Sequence, residues 1–371
     1  MKITKVETFV AGQDLKEPFS FSQWEYSRRE TCLVRITTDD GSYGWGEGYG
    51  PAKVLAAGIA FLTPLIQNKN PLEISNLWDI MHKRSYDYAR SGVLVASRSA
   101  IDIALWDLKG KILCKPVCEL LGTRQRDRVE VYATGMYFTH CDDLPAKLAH
   151  EAADYVQRGF SAMKMKVGLG LDADMRNICA VRDAIGPQVR LMVDANHAFT
   201  RTVAMDYIRA MDSLDIAWFE EPISPDDYAG NRKLCEASPI PIASGECDYL
   251  CAGFQRLFEA GAVNIAQPDI GASGGLTEAI RIATLAQQFK IPLTPHCWGS
   301  GLALAAAVHF MAVQDVLDGQ IPQPLEMDQT ENPLRDELVM PAFRPIASHI
   351  DVPTAPGLGV DVDLEKLSQC I

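Results

Sequence analysis

Three acidic residues stand at equal spacing along the chain, each at the end of a short apolar segment. Asp194 follows "RLMV", Glu220 follows "IAWF" and Glu246 follows "PIASG". Carboxylates brought together away from water repel one another, so a hard divalent cation is needed to hold them in one place. Oxygen ligands alone favour Mg²⁺ over zinc, and we predict one Mg²⁺ per chain. The alternative is that all three are ordinary acids of surface turns.

Two lysines and an aspartate–histidine pair could supply acid and base chemistry beside that cation. Lys164 and Lys166 lie two residues apart, so on a strand both side chains point to the same side. Adjacent ammonium groups lower each other's pKa, which moves a lysine towards use as a base near neutral pH. Asp269 and His296 end two later apolar segments, where the carboxylate can hold one imidazole nitrogen and leave the other free.

Other polar residues near these segments are expected to have supporting or structural roles. Glu221, the second acid of "FEEP", points the other way on the pleat, so we expect it to bind a neighbouring lysine or backbone group behind the metal site. The ten cysteines lack the paired spacing of a zinc site, and without a secretion signal we expect free thiols. Two pairs are one helical turn apart, Cys114 with Cys118 and Cys247 with Cys251.

The elements that must position these residues form a regular alternation. From "RQRDR" onwards seven amphipathic helical patterns separate eight apolar segments, "VEVYATG", "AMKMKV", "VRLMVDA", "IAWFEE", "PIASGE", "VNIAQPD", "IPLTPH" and "QPLEMD". This alternation predicts an α/β fold, a TIM-type (β/α)7β barrel in which the C-terminal tail replaces the eighth helix. Catalytic groups of such barrels lie at the C-terminal ends of the strands, which is where the residues above stand.

The chain before "RQRDR" has a different organisation. Residues 1–50 read as strands with a glycine-rich turn, "GWGEGYG", which lacks the spacing of a dinucleotide-binding loop. Residues 51–122 show helical patterns, as in "SRSAIDIALWDLKGKIL". We therefore predict an α+β domain of residues 1–125, completed by the tail 341–371, and a barrel domain of residues 126–340.

Composition excludes some partners. The formal net charge of −13 argues against a nucleic-acid partner, because such binding needs a basic surface. The N-terminus has no signal core, and the longest apolar run, "VLAAGIAFLTPLI", is too short to span a bilayer, so we expect a cytoplasmic protein without a membrane partner. An acidic protein that handles an anionic substrate must build positive charge locally.

The ordered motifs "KMK", "DAN", "FEEP", "SGE", "PD" and "PH.WG" resemble those of the mandelate racemase subgroup of the enolase superfamily. The similarity runs over nearly the whole chain and includes an N-terminal capping domain, with "GWGE" and "SAIDIALWDLKGK". It implies a homo-oligomer that abstracts the α-proton of a small carboxylate substrate through an enediolate, with Mg²⁺ and a lysine or histidine base. The residues that it implicates are Asp194, Glu220 and Glu246 as ligands, and Lys166 opposite a His296–Asp269 dyad as acid/base groups.

The same resemblance assigns two residues to the substrate carboxylate. Lys164 would contact it, and Glu326 of "PLEMD" would hydrogen-bond to it as a protonated donor. Both would stabilise negative charge where it develops during proton abstraction.

The fate of the enediolate decides the product. Loss of a β-hydroxyl gives dehydration, loss of a β-ring oxygen opens a lactone, and reprotonation from the other face gives racemisation or epimerisation of a 2-hydroxy acid. Segments "VDANHAFT", "PHCWGSG" and "MDQTENPLRDEL" resemble the branch that contains galactarolactone cycloisomerases and acid-sugar dehydratases, which favours an acid sugar or its lactone. A Schiff-base aldolase, which needs no metal, and a non-catalytic barrel are the alternatives of other classes.

Several residues near the strand ends and in two loops are candidates for substrate recognition. Asn196, His197, Trp298 and Ser300 lie at strand ends. The loops "EPFSFSQWEYSRR" and "GEGYGP" resemble those that close over the barrel in this family, and the first carries Phe19, Phe21, Trp24 and Tyr26. Packing in the capping domain is an equal possibility for these aromatic residues.

Overall fold

The computed structural model describes residues 1–315 and 323–371. Its N-terminal part is a three-stranded antiparallel sheet, in the order β1-β2-β3, that packs against helices. The elements are β1 (Ile3–Ser20), β2 (Glu25–Thr38), β3 (Tyr43–Gly48), α1 (Ala52–Ile66), α2 (Ile74–Ser85), α3 (Val93–Leu113) and α4 (Val117–Leu121).

The second part alternates short parallel strands with helices, as the sequence predicts. Its elements are β4 (Arg128–Thr134), α5 (Leu144–Gln157), β5 (Ala162–Lys166), α6 (Leu171–Ile185), β6 (Arg190–Asp194), α7 (Arg201–Ala210), β7 (Ile216–Glu220), α8 (Tyr228–Ala237), β8 (Ile242–Ser244), α9 (Leu250–Glu259), β9 (Ile265–Ala266), α10 (Gly275–Phe289), α11 (Gly301–Ala312) and β10 (Leu325–Asp328). The strands pair in the order β10-β4-β5-β6-β7-β8-β9. The prediction of a (β/α)7β barrel with an N-terminal α+β domain is confirmed.

The C-terminal tail contains α12 (Pro333–Asp336), β11 (Val339–Met340), β12 (His349–Asp351), β13 (Asp361–Val362) and α13 (Leu364–Cys370). Strand β12 pairs with the first barrel strand, and the backbone N–H of Val117 in the N-terminal part donates to Gly357 O at 2.9 Å. The tail thus contacts both parts of the chain, while the domain limits near residues 125 and 340 stay predictions.

The expected seventh barrel strand is not formed as a strand. "IPLTPH" makes one parallel bridge, between Leu293 and Ala266, and the sixth strand β9 is only two residues long. The reason is the density of prolines, because Pro268, Pro292 and Pro295 have no N–H to donate to a ladder. Thr294 closes the ring by donating its N–H to Ala266 O at 3.0 Å and its hydroxyl to Pro324 O at 2.6 Å.

Side chains fill the barrel interior in a layer beneath the strand ends. This layer consists of Tyr132, Ala162, Met192, Trp218, Ala243 and Ile265. The outer faces of the strands pack on the helices, where residues at helical spacing such as Leu276, Ala283 and Ala286 of α10 are buried. Two of the interior residues, Tyr132 and Trp218, carry a polar tip, and Trp218 directs its N–H towards the strand ends.

The segment "GWGEGYG" was expected to be a turn and is largely strand β3. Gly44 and Gly46 lie on the face of β3 that meets α3, where a Cβ would come within 2.3 Å of Ala104 O and 2.1 Å of Ala100 O, respectively. The glycines are therefore there because strand and helix backbones approach closely. The prediction of a turn at this segment is therefore wrong, because most of it is strand β3.

Two buried carboxylates of the N-terminal part fasten it to barrel helices. Glu47 of β3 accepts hydrogen bonds from Ser300 N at 2.9 Å, Ser300 Oγ at 2.6 Å and Ala303 N at 3.1 Å, at the start of α11. Asp102 of α3 accepts from Thr277 N at 2.9 Å and Thr277 Oγ1 at 2.5 Å in the first turn of α10. Each carboxylate satisfies free N–H groups at a helix N-terminus.

Among the described residues, no helix combines the length and the apolarity that crossing a bilayer requires. All ten cysteines are free thiols.

The docking of Asp102 predicts a dependence of stability on pH. Burial raises its pKa to about 7 from the ordinary 3.8, although the hydrogen bonds from Thr277 act to lower it. A raised folded-state pKa stabilises below the ordinary value, and this contribution is lost as the pH rises towards the folded value. Between pH 3.8 and about 7 the free energy of unfolding of the wild type should therefore fall relative to that of Asp102→Asn.

Urea unfolding of both proteins at a series of pH values measures this difference. Asp143→Asn is the matched control, because Asp143 also accepts an N–H at a helix start, from Ala146 at 3.1 Å, but is exposed. Parallel curves for the wild type and Asp102→Asn would contradict the assignment.

Candidate active site

Three carboxylates meet at the C-terminal ends of neighbouring strands. Asp194 ends β6 and Glu220 ends β7, and the two are register partners in the parallel ladder. Glu246 follows β8 by two residues. Asp194 and Glu220 are only 1% and 0% exposed, so their charges need partners inside the protein.

Lys164 lies among acids at the centre of the barrel mouth. Its ammonium contacts Glu220, is 2.9 Å from Glu326 Oε1 and is 3.7 Å from Asp194 Oδ2. Burial acts to lower the pKa of Lys164, but these carboxylates outweigh it and raise the pKa well above the ordinary value. The expected lowering by the neighbouring lysine is therefore wrong for Lys164, because each ammonium pairs with carboxylates. Lys164 is a cationic donor suited to bind an anion.

Lys166 is the last residue of β5, two residues after Lys164 and on the same side of the strand. Its ammonium contacts Asp194 and donates to Asn196 Oδ1 at 2.9 Å. The rings of Tyr137 and Phe21 lie beside it, with centroids 5.1 and 5.7 Å from Nζ. Asn196, which we expected to bind substrate, thus holds Lys166 in the structure.

Two donors from the barrel interior fix one oxygen of Glu220. Glu220 Oε2 accepts from Trp218 Nε1 at 3.0 Å and from Gln267 Nε2 at 2.6 Å, while Oε1 faces Lys164. The carboxylate therefore has one oxygen held from below and one directed at the site. Such supporting hydrogen bonds orient a ligand and tune its affinity.

His296 and Asp269 form the expected pair on the other side of the mouth. His296 Nδ1 is 2.6 Å from Asp269 Oδ2, and Ala272 N donates to Asp269 Oδ1 at 3.0 Å. The second ring nitrogen, Nε2, is 3.5 Å from Glu246 Oε2. Burial lowers the pKa of His296, but Glu246, the hydrogen bond to Asp269 and other acids outweigh it and raise the pKa to about 10. As an imidazolium the ring can donate a proton through Nε2, and in its neutral form the same nitrogen can accept one.

Glu326 lies at the eighth strand as expected but is not protonated. It accepts hydrogen bonds from Thr134 Oγ1 at 2.6 Å and from Cys297 N at 3.0 Å, in addition to Lys164. Burial acts to raise its pKa, yet Lys164, His296 and the two hydrogen bonds lower it to about 2. The expectation of a protonated donor is wrong, because the lysine supplies the compensating charge. Glu326 is an acceptor that holds Lys164.

The crowding of acids fits a divalent cation. The pKa of Glu220 is raised to about 7, because burial outweighs Lys164 and because Asp194, Glu326 and Glu246 repel its charge. Mg²⁺ binds carboxylate oxygens such as these, and its charge would relieve their mutual repulsion. It also commonly keeps coordination positions for water and substrate. Asp194, Glu220 and Glu246 are the residues that would hold it.

Glu221 does not bind a lysine or the backbone through its side chain. It is 1% exposed, and among the described residues the thiol of Cys247 is the hydrogen-bonding side chain recorded beside its carboxyl group. Its φ of +39° turns the chain out of the strand, so the side chain does not follow the pleat. The expected supporting contact is therefore wrong, and the side chain lies beside His197 and Cys247.

An aromatic wall from both parts of the chain borders the site. Ring centroids are 4.7 Å apart for Phe19 and Tyr137, 5.6 Å for Tyr137 and Trp298, and 5.9 Å for Trp298 and Tyr26. The guanidinium of the buried Arg29 lies 3.9 Å from the Trp298 ring centroid. Cation–π contact of this kind fixes the plane of the indole, and flat rings suit the apolar face of a cyclic substrate.

The loop that carries Phe21 reaches across the barrel mouth. Ser22 Oγ donates to Ala195 O at 2.6 Å, and a Cβ on Gly168, whose φ is +139°, would come within 2.5 Å of Ser22 Cβ. Trp24, at the tip, is 67% exposed and lines the rim of a cavity of about 690 Å³ with Tyr26. The loop therefore covers the Lys166 side, with Trp24 outside the packed site.

Some functional candidates were misplaced by the sequence and others were missed. Ser300 does not face the site, because it caps α11 and binds Glu47. Tyr49 was missed, although its ring lies 5.1 Å from His296 and "GEGYGP" contains it. Tyr137 and Gln267 were missed too. Both lie one or two residues from a predicted strand end, so a search of each strand end over three residues would have found them.

Family models match both parts of the chain. Residues 3–122 match "Mandelate racemase / muconate lactonizing enzyme, N-terminal domain", and residues 147–367 match "Enolase C-terminal domain-like". The chain belongs to the mandelate racemase and muconate lactonizing enzyme family of the enolase superfamily. The resemblance inferred from the motifs is confirmed, and the chain is an enzyme of this superfamily rather than a Schiff-base aldolase or a non-catalytic barrel.

Characterised relatives in this family act on acid sugars. The D-galactarolactone cycloisomerase of Agrobacterium fabrum (strain C58 / ATCC 33970) is 37% identical over 372 residues, 100% of this chain and 98% of that protein. The arabinonate dehydratase of Saccharolobus solfataricus is 34% identical over 338 residues, 90% of this chain and 88% of that protein. The crystal structure of the 3,6-anhydro-D-galactonate cycloisomerase from Zobellia galactanivorans is 49% identical, has a TM-score of 0.92 and covers 100% of this chain and 99% of that one.

The hydrogen bond from Gln267 to Glu220 predicts an effect on Mg²⁺ affinity at this enolase-superfamily site. Gln267→Leu keeps the side-chain volume but removes the 2.6 Å hydrogen bond to Glu220 Oε2. We expect Mg²⁺ affinity to fall by about 10- to 100-fold, as for other residues that orient a metal ligand. Isothermal titration with Mg²⁺ measures the change directly.

Gln255→Leu is the control, because Gln255 is exposed and its 2.7 Å hydrogen bond to Glu259 is remote from the site. An unchanged Mg²⁺ dissociation constant in a folded Gln267→Leu protein would rule out this supporting role.

Proposed function

We propose that this enzyme opens a cyclic acid sugar by Mg²⁺-dependent abstraction of the α-proton and expulsion of the β-ring oxygen. The observation that carries the proposal is the opposition of Lys166 to the His296–Asp269 pair across the three carboxylates. The cyclic substrate is favoured by the aromatic wall and by the 49% identity to an anhydro-sugar-acid cycloisomerase. Dehydration of an open-chain acid sugar is the second candidate, which the similarity to arabinonate dehydratase supports.

Positive charge at the substrate carboxylate comes from Lys164 and, when bound, from Mg²⁺. Lys164, whose pKa is raised, is placed to donate to the substrate carboxylate, and Glu326 holds Lys164 there. Bound Mg²⁺ would supply a Lewis acid for the carboxylate oxygens, on which the second negative charge develops. Preorganised positive charge at that point is commonly the largest catalytic contribution.

Two proton transfers complete the reaction, one to neutral Lys166 and one from the imidazolium of His296. Lys166, in its neutral form, removes the α-proton, and the electron pair forms the enediolate. The enediolate collapses with cleavage of the Cβ–O bond of the ring, and the leaving oxygen takes a proton from the imidazolium of His296. The resulting enol tautomerises to a 2-keto-3-deoxy acid. Asp269 keeps the ring of His296 oriented, since it holds Nδ1 and leaves Nε2 towards the site.

A substrate comparison tests the proposal. Cyclic acid sugars and lactones should be converted to 2-keto acids in the presence of Mg²⁺, and open-chain acids of the same configuration much more slowly. EDTA should abolish turnover and Mg²⁺ should restore it, and Glu220→Gln should require more Mg²⁺, because it removes one ligand charge. NMR in D₂O detects the 2-keto product with deuterium at C3, and it detects any α-exchange as deuterium at the α-carbon of recovered substrate. Full activity in EDTA would contradict the assignment of the metal ligands. Faster turnover of open-chain acids than of cyclic ones would favour the second candidate, dehydration of an open-chain acid sugar.

The two bases predict separable exchange reactions. In D₂O, Lys166→Ala should lower turnover by about 10²- to 10⁴-fold, the usual contribution of an acid–base group, and leave any exchange driven by His296. His296→Asn should leave exchange of the opposite stereoisomer, driven by Lys166. Asp269→Asn should resemble His296→Asn more mildly, because it misorients the imidazole without removing it.

These exchange rates are read by NMR on both α-epimers of one substrate. If both single variants exchange the same epimer at the wild-type rate, Lys166 and His296 are not the two bases.

A further inference from the structure

A second group of metal-ligating side chains lies beside the three carboxylates. His197, Glu221 and Cys247 each offer one ligand atom, and these atoms lie within 4.8 Å of one another. They follow Asp194, Glu220 and Glu246 in the loops after β6, β7 and β8. The same strand ends that deliver the Mg²⁺ ligands therefore deliver a second group of different donors.

Glu221 gives this group a reason to bind a cation. Its side chain is 1% exposed, and the thiol of Cys247 is the hydrogen-bonding side chain recorded beside its carboxyl group among residues 1–315 and 323–371. A thiol is a weak donor, so this buried carboxylate is poorly compensated, and such groups in native proteins are commonly explained by an ion or water that binds them. No lysine or arginine is hydrogen-bonded or ion-paired to this carboxylate in the described part of the chain.

The other two donors are placed to complete the coordination. His197 is half-buried, and its backbone N–H donates to Glu221 O at 2.6 Å, which ties the two loops together. Cys247 is an exposed free thiol at the rim. Ligands on a tetrahedral zinc ion lie about 3.5 Å apart, given bond lengths of about 2.0–2.3 Å. The three ligand atoms, within 4.8 Å of one another, are therefore close to that spacing, and Cys247 is the exposed member of the group.

We propose that His197, Glu221 and Cys247 form a second cation site, selective for zinc-class ions over Mg²⁺. The selectivity follows from the donors, because one imidazole, one carboxylate and one thiolate suit Zn²⁺ and Co²⁺, whereas Mg²⁺ prefers oxygen alone. The thiol releases its proton to solvent when it ligates the ion. Three protein ligands leave a fourth position open towards the barrel mouth.

An ion at this site would inhibit the enzyme. It would occupy His197, which stands at the end of the third barrel strand, and place a positive charge beside the substrate position. This consequence rests on the proposed function, whereas binding of the ion does not. Low concentrations of Zn²⁺ should therefore inhibit Mg²⁺-dependent turnover, and the inhibition should disappear when Cys247 is replaced.

Cobalt spectroscopy tests the site directly. Protein saturated with Mg²⁺ is titrated with Co²⁺, and thiolate-to-cobalt charge-transfer absorption reports a Co–S bond, which the all-oxygen site cannot produce. The wild type should develop this band to one equivalent and lose it on addition of Zn²⁺. Cys247→Ser should abolish the band and keep the Mg²⁺ dissociation constant, while Cys179→Ser, which replaces another exposed thiol, should change neither.

Further variants cover the remaining outcomes. Glu221→Gln keeps the thiol and should weaken Co²⁺ binding at least tenfold, which tests the group if Cys247→Ser folds poorly. Absence of the band in the wild type, or an equal band in Cys247→Ser, would overturn the proposal. A cobalt band in a protein that converts no acid sugar would support this site and count only against the proposed function.

Discussion

Electrostatic repulsion among buried carboxylates is the constraint on which the site depends. Parallel strands of one barrel end at the same rim, so acids at successive strand ends are forced together. Asp194, Glu220 and Glu246 form one such group, and Glu326 adds a fourth charge across the mouth. The structure answers this repulsion with buried lysines and with donors from the barrel interior. Mg²⁺ is the remaining cation that the oxygen donors fit.

The same constraint explains why neighbouring groups differ in protonation. Lys164 is surrounded by carboxylates, which raises its pKa and makes it a permanent cation. That cation in turn lowers the pKa of Glu326. The pKa of His296 is raised by Glu246 and by the hydrogen bond to Asp269, which also orients the ring. One network of charges therefore shifts the pKa values of three neighbouring residues in ways that suit each of them to a different task.

The N-terminal part contributes to the site through its attachment to the barrel. Glu47 and Asp102 accept hydrogen bonds from backbone N–H groups in the first turns of barrel helices, where such groups have no acceptor within the helix. This docking brings Tyr49 against His296 and Arg29 against Trp298. The aromatic wall beside the candidate site is thus assembled from two parts of the chain, and its shape depends on buried contacts between them.

The sequence by itself determined the barrel, the order of its strands and the identity of the groups at the strand ends. This was possible because hydrophobic periodicity is local, and one residue at the end of each strand is read directly from it. Only the tertiary structure decided which neighbours those groups have. The pKa of Glu326 is lowered, and the carboxyl group of Glu221 has a thiol rather than a lysine beside it, because of residues far away in sequence. The predicted seventh strand is reduced to one bridge, because its prolines have no N–H to donate to the ladder. Hydrophobic periodicity alone does not register this local property. Burial and charge act over distances in space, so pKa values, supporting residues such as Gln267 and the aromatic wall required the folded chain.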